Sequence, residues 1–378
     1  MALLLNEDEK MLRETAESFF KNKAPVTQLR KLRDERDETG YSKELWAEMS
    51  EMGFAGVLVP EDQGGVDMGV MAAGLLAEQM GRNLSASPFF STSVLSVTAL
   101  KKSGGDIAKA WLEKIASGNA VVSFAIDEGA KHRPNATDTR AVRSGNGFKL
   151  TGSKAMVLDA HMADAHIVVA RTSGEPGDKE GLSLFLVEKN KENLTVERTI
   201  MVDSRNAGRL ELNDVEVTAD ALLGELDKGS DVLDRVLGVG RAVLSAELLG
   251  AGSQAFEDTI TYIKERKQFG KIIGEFQALQ HRASHLYSEL ELCRSAVLAA
   301  LSAIDEQDEN ADKMASMAKA KLGQVAKLAA LEGIQMHGGV GMTDEYDIGL
   351  FLKRVRVLQE LLGDENYHLN EFAKSYAY

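Results

Sequence analysis

Cysteine is nearly absent from this chain. Its 378 residues hold one, Cys293, which excludes an internal disulfide and any multi-cysteine metal centre. Low cysteine usage points to a reducing compartment, the cytoplasm. Proline is scarce as well, with Pro25, Pro60, Pro88, Pro134 and Pro176 the full set. The last 202 residues contain none, which suits long helices, because an interior proline breaks the hydrogen-bond ladder. Positive charge falls short, with 44 Lys+Arg against 58 Asp+Glu and a net charge of −14. Such a balance repels polyphosphate, so sequence-independent binding to nucleic acid or anionic membrane is disfavoured. A small anion held in a local basic site is not. The apolar start Ala2-Leu3-Leu4-Leu5 runs straight into Asn6-Glu7-Asp8-Glu9, and neither a signal peptide nor a spanning helix is expected. What remains, 44% apolar and 27% charged residues, is the composition of a folded chain. The length suits two or three domains.

Periodicity divides the chain into three. Residues 1–118 read as helical: Leu12, Ala16 and Phe19 recur at helical spacing, as do Leu45, Met49 and Met52. Met71 to Met80 is apolar nearly all round, as a buried helix is. Residues 119–222 read as strands, at 121–125, 166–170, 182–187 and 209–217, with Gly, Asn and Asp between them. Short strands joined by turns predict a small β-barrel or sandwich. From 223 to 378 helical stripes return, through Val232 to Leu248, Leu286 to Leu301 and Met314 to Leu328. Consecutive striped helices predict an antiparallel four-helix bundle. The fold class is therefore α+β, mostly helical. The charged run Asp305-Glu306-Gln307-Asp308-Glu309 reads as an exposed inter-helix loop.

Two segments are more specific. One is Arg266-Lys267-Gln268-Phe269-Gly270 and its flanks, Tyr262 to Arg282. The other is Gln335-Met336-His337-Gly338-Gly339-Val340-Gly341 through Tyr346. An Arg fork pairs bidentately with pyrophosphate, which a Lys point charge cannot do. A Gly-Gly pair lets backbone N–H groups approach phosphate closely. Phe269 offers an aromatic ring to a flat ring system, and Gln335 an amide. His281 and His285 share a helix face but have no evident third ligand, so no metal is expected.

Together these segments resemble the flavin-binding motifs of the acyl-CoA dehydrogenase family. Val59-Pro60-Glu61-Asp62-Gln63-Gly64-Gly65 and Leu212-Asn213-Asp214-Val215-Glu216-Val217 agree with it, in matching order. The resemblance implies FAD as cofactor, held by Arg266, Gln268, Phe269, Gln335, Gly338 and Gly339 across a subunit interface. It implies that Met156 and Leu158 present backbone groups to the flavin ring and that Arg241 lies near the acyl-CoA channel. It also implies α,β-desaturation of an acyl-CoA thioester in fatty acid or steroid side-chain oxidation. The implied partners are an electron-transfer flavoprotein and further subunits in a homo- or hetero-oligomer.

The sequence departs from the family where the chemistry is hardest. Removing an α-proton needs a positioned carboxylate. The family's usual base follows the second Gly of the pair by 23 residues, which gives Leu362 here. Its alternative base precedes an Arg 25 residues before the motif Arg, which gives Gly240, beside Arg241. Neither accepts a proton. Asp364, Glu365 and Glu360 are the nearest carboxylates in sequence. The family's Thr-Glu-Pro loop is represented only by Ile126-Asp127-Glu128-Gly129-Ala130-Lys131, and its Trp-Ile-Thr by Met156-Val157-Leu158. The Leu-Gly-Asp sequence ahead of Asn366-Tyr367-His368 resembles the small subunits of two-chain enzymes of the pimeloyl-CoA or steroid side-chain type. The expectation is a subunit whose base comes from a partner chain. The alternatives are a self-sufficient homomeric enzyme with a relocated carboxylate, a non-catalytic scaffold, and other flavin chemistry on this fold.

Overall fold

Apolar stripes set the helix faces, and glycines decide how closely the helices meet. In the computed structural model, which describes residues 4–375, the chain forms two units. A helical unit gathers the N-terminal residues through Glu35, Val70–Ala86 and the chain from Arg241 onward. The other contains Arg36–Gly69 and Ser87–Gly240.

The helical unit holds α1 (Glu7–Lys23), α2 (Val26–Asp34), most of α4 (Gly69–Asn83) and the larger part of α7 (Gly229–Glu265). It continues with α8 (Gln277–Asp305), α9 (Ala311–His337), α10 (Ile348–Glu360) and α11 (Glu365–Lys374). Asn6 and Glu9 close a capping box on α1. α4 and α7 touch through glycines on both sides: a Cβ on Gly81 would lie 2.1 Å from Glu247 O, and one on Gly250 1.9 Å from Glu78 O. Arg354 of α10 is fully buried and reaches Glu247 Oε1 at 3.1 Å and the carbonyls of Leu84 and Ser85. α7 is long and apolar enough to cross a membrane, contrary to the expectation that no such stretch exists. Yet 94% of its apolar window is buried inside the protein, which makes it a core helix. The charged run that begins at the last residue of α8 is exposed as expected, and its first member, Asp305, also accepts from Val70 N (2.7 Å) and Met71 N (2.8 Å) and caps α4.

The second unit holds α3 (Lys43–Glu51), a π-helix at Phe89–Ser96, α5 (Val97–Ser103) and α6 (Asp106–Ala116). It also holds one eight-stranded mixed sheet. The strands are β1 (Val122–Ala125), β2 (Arg140–Ser144), β3 (Gly147–Leu158), β4 (Ala165–Arg171), β5 (Leu182–Glu188), β6 (Leu194–Ile200), β7 (Asn206–Thr218) and β8 (Leu222–Leu223). The order is β6-β7-β3-β2-β4-β5-β8, with β1 parallel to β4. The rings of Phe148 and Phe185, 4.9 Å apart, lie in the apolar core between these strands. The four expected strands are present. β2, β3, β6 and the two-residue β8 were not anticipated, and β3 hides its character by carrying a buried lysine, Lys154, which donates to Ile126 O (2.9 Å) and Glu128 Oε1 (2.8 Å).

Candidate functional site

The two motif segments meet in the helical unit. α7 ends at Glu265, and a short hairpin follows, β9 (Lys267–Gln268) paired with β10 (Lys271–Ile272). Phe269 and Gly270 form its two-residue turn with φ +52° and +79°, the signs a type I′ turn requires. Glycine takes that conformation freely, but for a bulky residue it is strained. The strain projects the Phe269 ring outward, 90% exposed. The ring meets the edge of Phe276, with centroids 6.2 Å apart.

α9 delivers the second segment. It ends at His337, and Gly338 turns the chain with φ +67°. His337 stacks on Tyr262 at 4.2 Å, and the Tyr262 hydroxyl donates to His337 O at 3.2 Å. His337 Nδ1 lies 2.7 Å from Gly333 O, which assigns the proton to Nδ1. Beneath sit Ile263, Ile273 and Met336.

Between the segments lies an open cleft of about 760 Å3, within the range of small-molecule sites. Arg266, Gln268, Phe269, Gln335, Gly338 and Gly339 all line it. Arg266 is anchored through its backbone, its N–H on Tyr262 O and its carbonyl taken by Ile273 N, both at 2.9 Å. Its guanidinium, and the amides of Gln268 and Gln335, have no hydrogen-bond or ionic partner among the described residues. A Cβ built on Gly338 or Gly339 meets nothing of this chain within 4 Å. Packing therefore does not explain Gly339, whereas φ explains Gly338. An unpaired fork, two free amides, a bare backbone and a projecting ring suit a dinucleotide with a flat ring system. The segment after the glycines is clamped to α2. Arg33 grips both oxygens of Asp344 (2.8 and 2.7 Å), and Arg30 reaches Asp347 (2.7 Å). The Arg33 hydrogen bonds hold the Asp344 carboxyl at about 2. Sequence reasoning missed this clamp, because partners more than 300 residues apart leave no local pattern.

The position of the usual base looks different. Leu362 is 7% exposed with φ +55°, and Gly363 follows at φ +107°. Arg241 Nε reaches Leu362 O at 3.4 Å, and Nη2 reaches the Tyr367 hydroxyl at 3.1 Å. Lys319, fully buried, donates to Gln359 O and Gly363 O, both at 3.0 Å. Burial first, and then the Arg241 charge, push its ammonium down to about 7. Each nearby carboxylate has structural work. Asp364 caps α11 through Tyr367 N (2.8 Å), Glu365 accepts from Gln324 (2.6 Å), and Glu360 pairs with Arg356 (2.9 Å). Gly240 precedes Arg241 within α7.

Met156 and Leu158 belong to the other unit. Met156 sits at an irregularity in the β3–β7 ladder with φ +54° and is 47% exposed, while Leu158 is buried opposite Ala207. In the preceding loop, Glu128 accepts from Asp138 N (2.8 Å) and Thr139 N (2.9 Å), and Asp127 bonds His132 Nδ1 (2.8 Å). The acidic side chains of Asp127 and Glu128 thus hold their own loop.

Comparison with known proteins agrees with this architecture. The chain matches the acyl-CoA dehydrogenase N-terminal domain over residues 6–119, the middle domain over 126–215 and the C-terminal domain over 227–377. It belongs to the acyl-CoA dehydrogenase family, which makes it an oxidoreductase of a flavoprotein class. A probable short/branched chain specific acyl-CoA dehydrogenase of Dictyostelium discoideum is 31% identical, over 98% of this chain and 90% of that protein. Subunit CarC of the caffeyl-CoA reductase-Etf complex of Acetobacterium woodii is 28% identical over 94% of each chain. Among solved structures, the Tcur3481-Tcur3483 steroid ACAD superposes with a TM-score of 0.88 at 29% identity, covering 98% of both chains.

Proposed function

We propose that this chain is an FAD-binding subunit of an acyl-CoA dehydrogenase whose α-proton acceptor comes from a second, homologous chain. The observation that carries the reading is an asymmetry. The motif cleft is lined by an Arg fork, two amides and a Gly-Gly backbone suited to a dinucleotide, while Leu362 and Gly240 occupy both base positions and Asp364, Glu365 and Glu360 are engaged elsewhere. In this reading the cleft completes a neighbouring subunit's flavin site across an interface: Arg266 forks onto that flavin's pyrophosphate, Gln268 and Gln335 bond its ADP portion, and Gly338-Gly339 offer backbone N–H groups. Phe269 covers an aromatic face. Met156 and Leu158 offer backbone groups to the ring edge, and Arg241 faces the acyl-CoA. A bound flavin would supply the hydride acceptor for the β-carbon. Leu362 presents hydrocarbon where a carboxylate would take the α-proton, a group worth about 10²–10⁴ in rate. Electrons would leave to an electron-transfer flavoprotein, consistent with the complex named for the A. woodii relative.

The test is a purified chain, alone and co-expressed with a homologous neighbouring gene product, mixed with several acyl-CoA esters. The expected result is flavin bleaching by substrate only in the co-expressed complex. Full turnover by the single chain would overturn the proposal and favour a relocated carboxylate in a homomer. A colourless complex that releases no flavin on denaturation would point instead to a scaffold.

A further inference from the structure

A second cavity, of about 250 Å3, opens between α1, α4, α7 and α8 and shares no lining residue with the motif cleft. Its floor is aliphatic, with Leu75, Leu249, Val297 and Leu301 all buried. Its charged groups divide into paired and unpaired. Glu78, 6% exposed, takes Arg294 Nη1 at 2.8 Å and lies 4.0 Å from Arg82 Nε. Lys10 is held by Glu7 at 2.8 Å. Arg13 remains. It is half-buried against the cavity, and among the described residues its guanidinium has no hydrogen bond or ion pair. A cation beside an apolar floor is matched by a ligand with an anionic head and a hydrocarbon body.

We propose that this cavity binds a short- to medium-chain aliphatic monocarboxylate, with its carboxylate on Arg13 and its chain on the leucine–valine floor. The size agrees. At roughly 30 Å3 for each water-sized group, the volume admits about eight non-hydrogen atoms, the size of hexanoate. Neither the motif cleft nor the flavin enters the argument, so the site stands whether or not the dehydrogenase reading does.

The experiment is isothermal titration of the full chain with sodium hexanoate and, separately, with 1-hexanol. Wild type is expected to take up one hexanoate per chain with saturation and to prefer it to the alcohol. Arg13→Gln should weaken hexanoate by about tenfold or more and leave hexanol unchanged. Arg13→Lys should recover part of the loss. Leu298→Trp, at the half-buried rim, should block both ligands. Saturating hexanoyl-CoA should displace neither. Absence of saturable binding, equal hexanoate affinity in Arg13→Gln, or displacement by the CoA ester would each overturn the proposal.

Discussion

Removing the Arg266 guanidinium separates a binding role from a folding role. The side chain is exposed and has no partner among the described residues, so Arg266→Ala should change folding stability by no more than about 0.5 kcal/mol. A forked, charge-assisted pair with a pyrophosphate is worth about 3 kcal/mol, which makes flavin binding roughly 100-fold weaker in its absence. Arg266→Lys keeps the charge and loses the fork, so it should fall between, at roughly tenfold. Fluorescence titration of FAD into the deflavinated protein reads the affinity, and a melt of the same apoprotein reads the fold. The difference between wild type and Arg266→Ala should also shrink as salt rises, since the site is open to solvent. FAD affinity within threefold of wild type in Arg266→Ala would refute the assignment. So would a lowered apoprotein melt large enough to explain the loss.

Three further perturbations follow from the same structure. Gly339→Ala should leave the apoprotein melt unchanged while weakening FAD, because a Cβ there meets nothing of this chain; Gly338→Ala, at φ +67°, should cost about 1 kcal/mol of stability as well, and chemical denaturation distinguishes the two. Gly81→Ala, with its Cβ 2.1 Å from Glu247 O, should lose about 3 kcal/mol or fail to fold; a wild-type denaturation midpoint would contradict the packing of α4 on α7. His166 is fully buried with Ser123 Oγ at 2.8 Å, and burial pushes it down to about 4 from 6.5. The unfolded chain therefore binds more protons below pH 6.5, so about 3 kcal/mol of stability should drain away as pH falls from 6.5 to 4. His166→Gln should flatten that part of the pH–stability curve.

Much of this molecule could be read from local pattern. The stripes at Leu12-Ala16-Phe19 and Leu45-Met49-Met52 lie on α1 and on α3 with its C-cap, and the continuous apolar runs at 166–170 and 182–187 lie within β4 and β5. Periodicity is a property of neighbouring residues, so it survives without a fold. β3 was illegible because Lys154 reads as a surface residue until Ile126 O and Glu128 are seen to solvate it inside. α7 was legible as a helix from its stripe through Val232 to Leu248, but an apolar helix bears no mark of what will cover it, and only the structure shows that protein does.

Chain order and residue chemistry alone determined the family likeness, the loss of a carboxylate at 240 and 362, and the identity of the groups suited to a dinucleotide. Those are statements about which atoms exist. Tertiary structure alone decided that Arg33 grips Asp344, more than 300 positions away, that Asp364 and Glu365 are tied to α11 and Gln324, and that Arg13 faces an apolar cavity with no partner among the described residues. Those are statements about which atoms meet. Contact between distant residues depends on how whole helices pack, and helix packing is settled by shape, such as the bare backbones of Gly81 and Gly250, rather than by any short run of sequence.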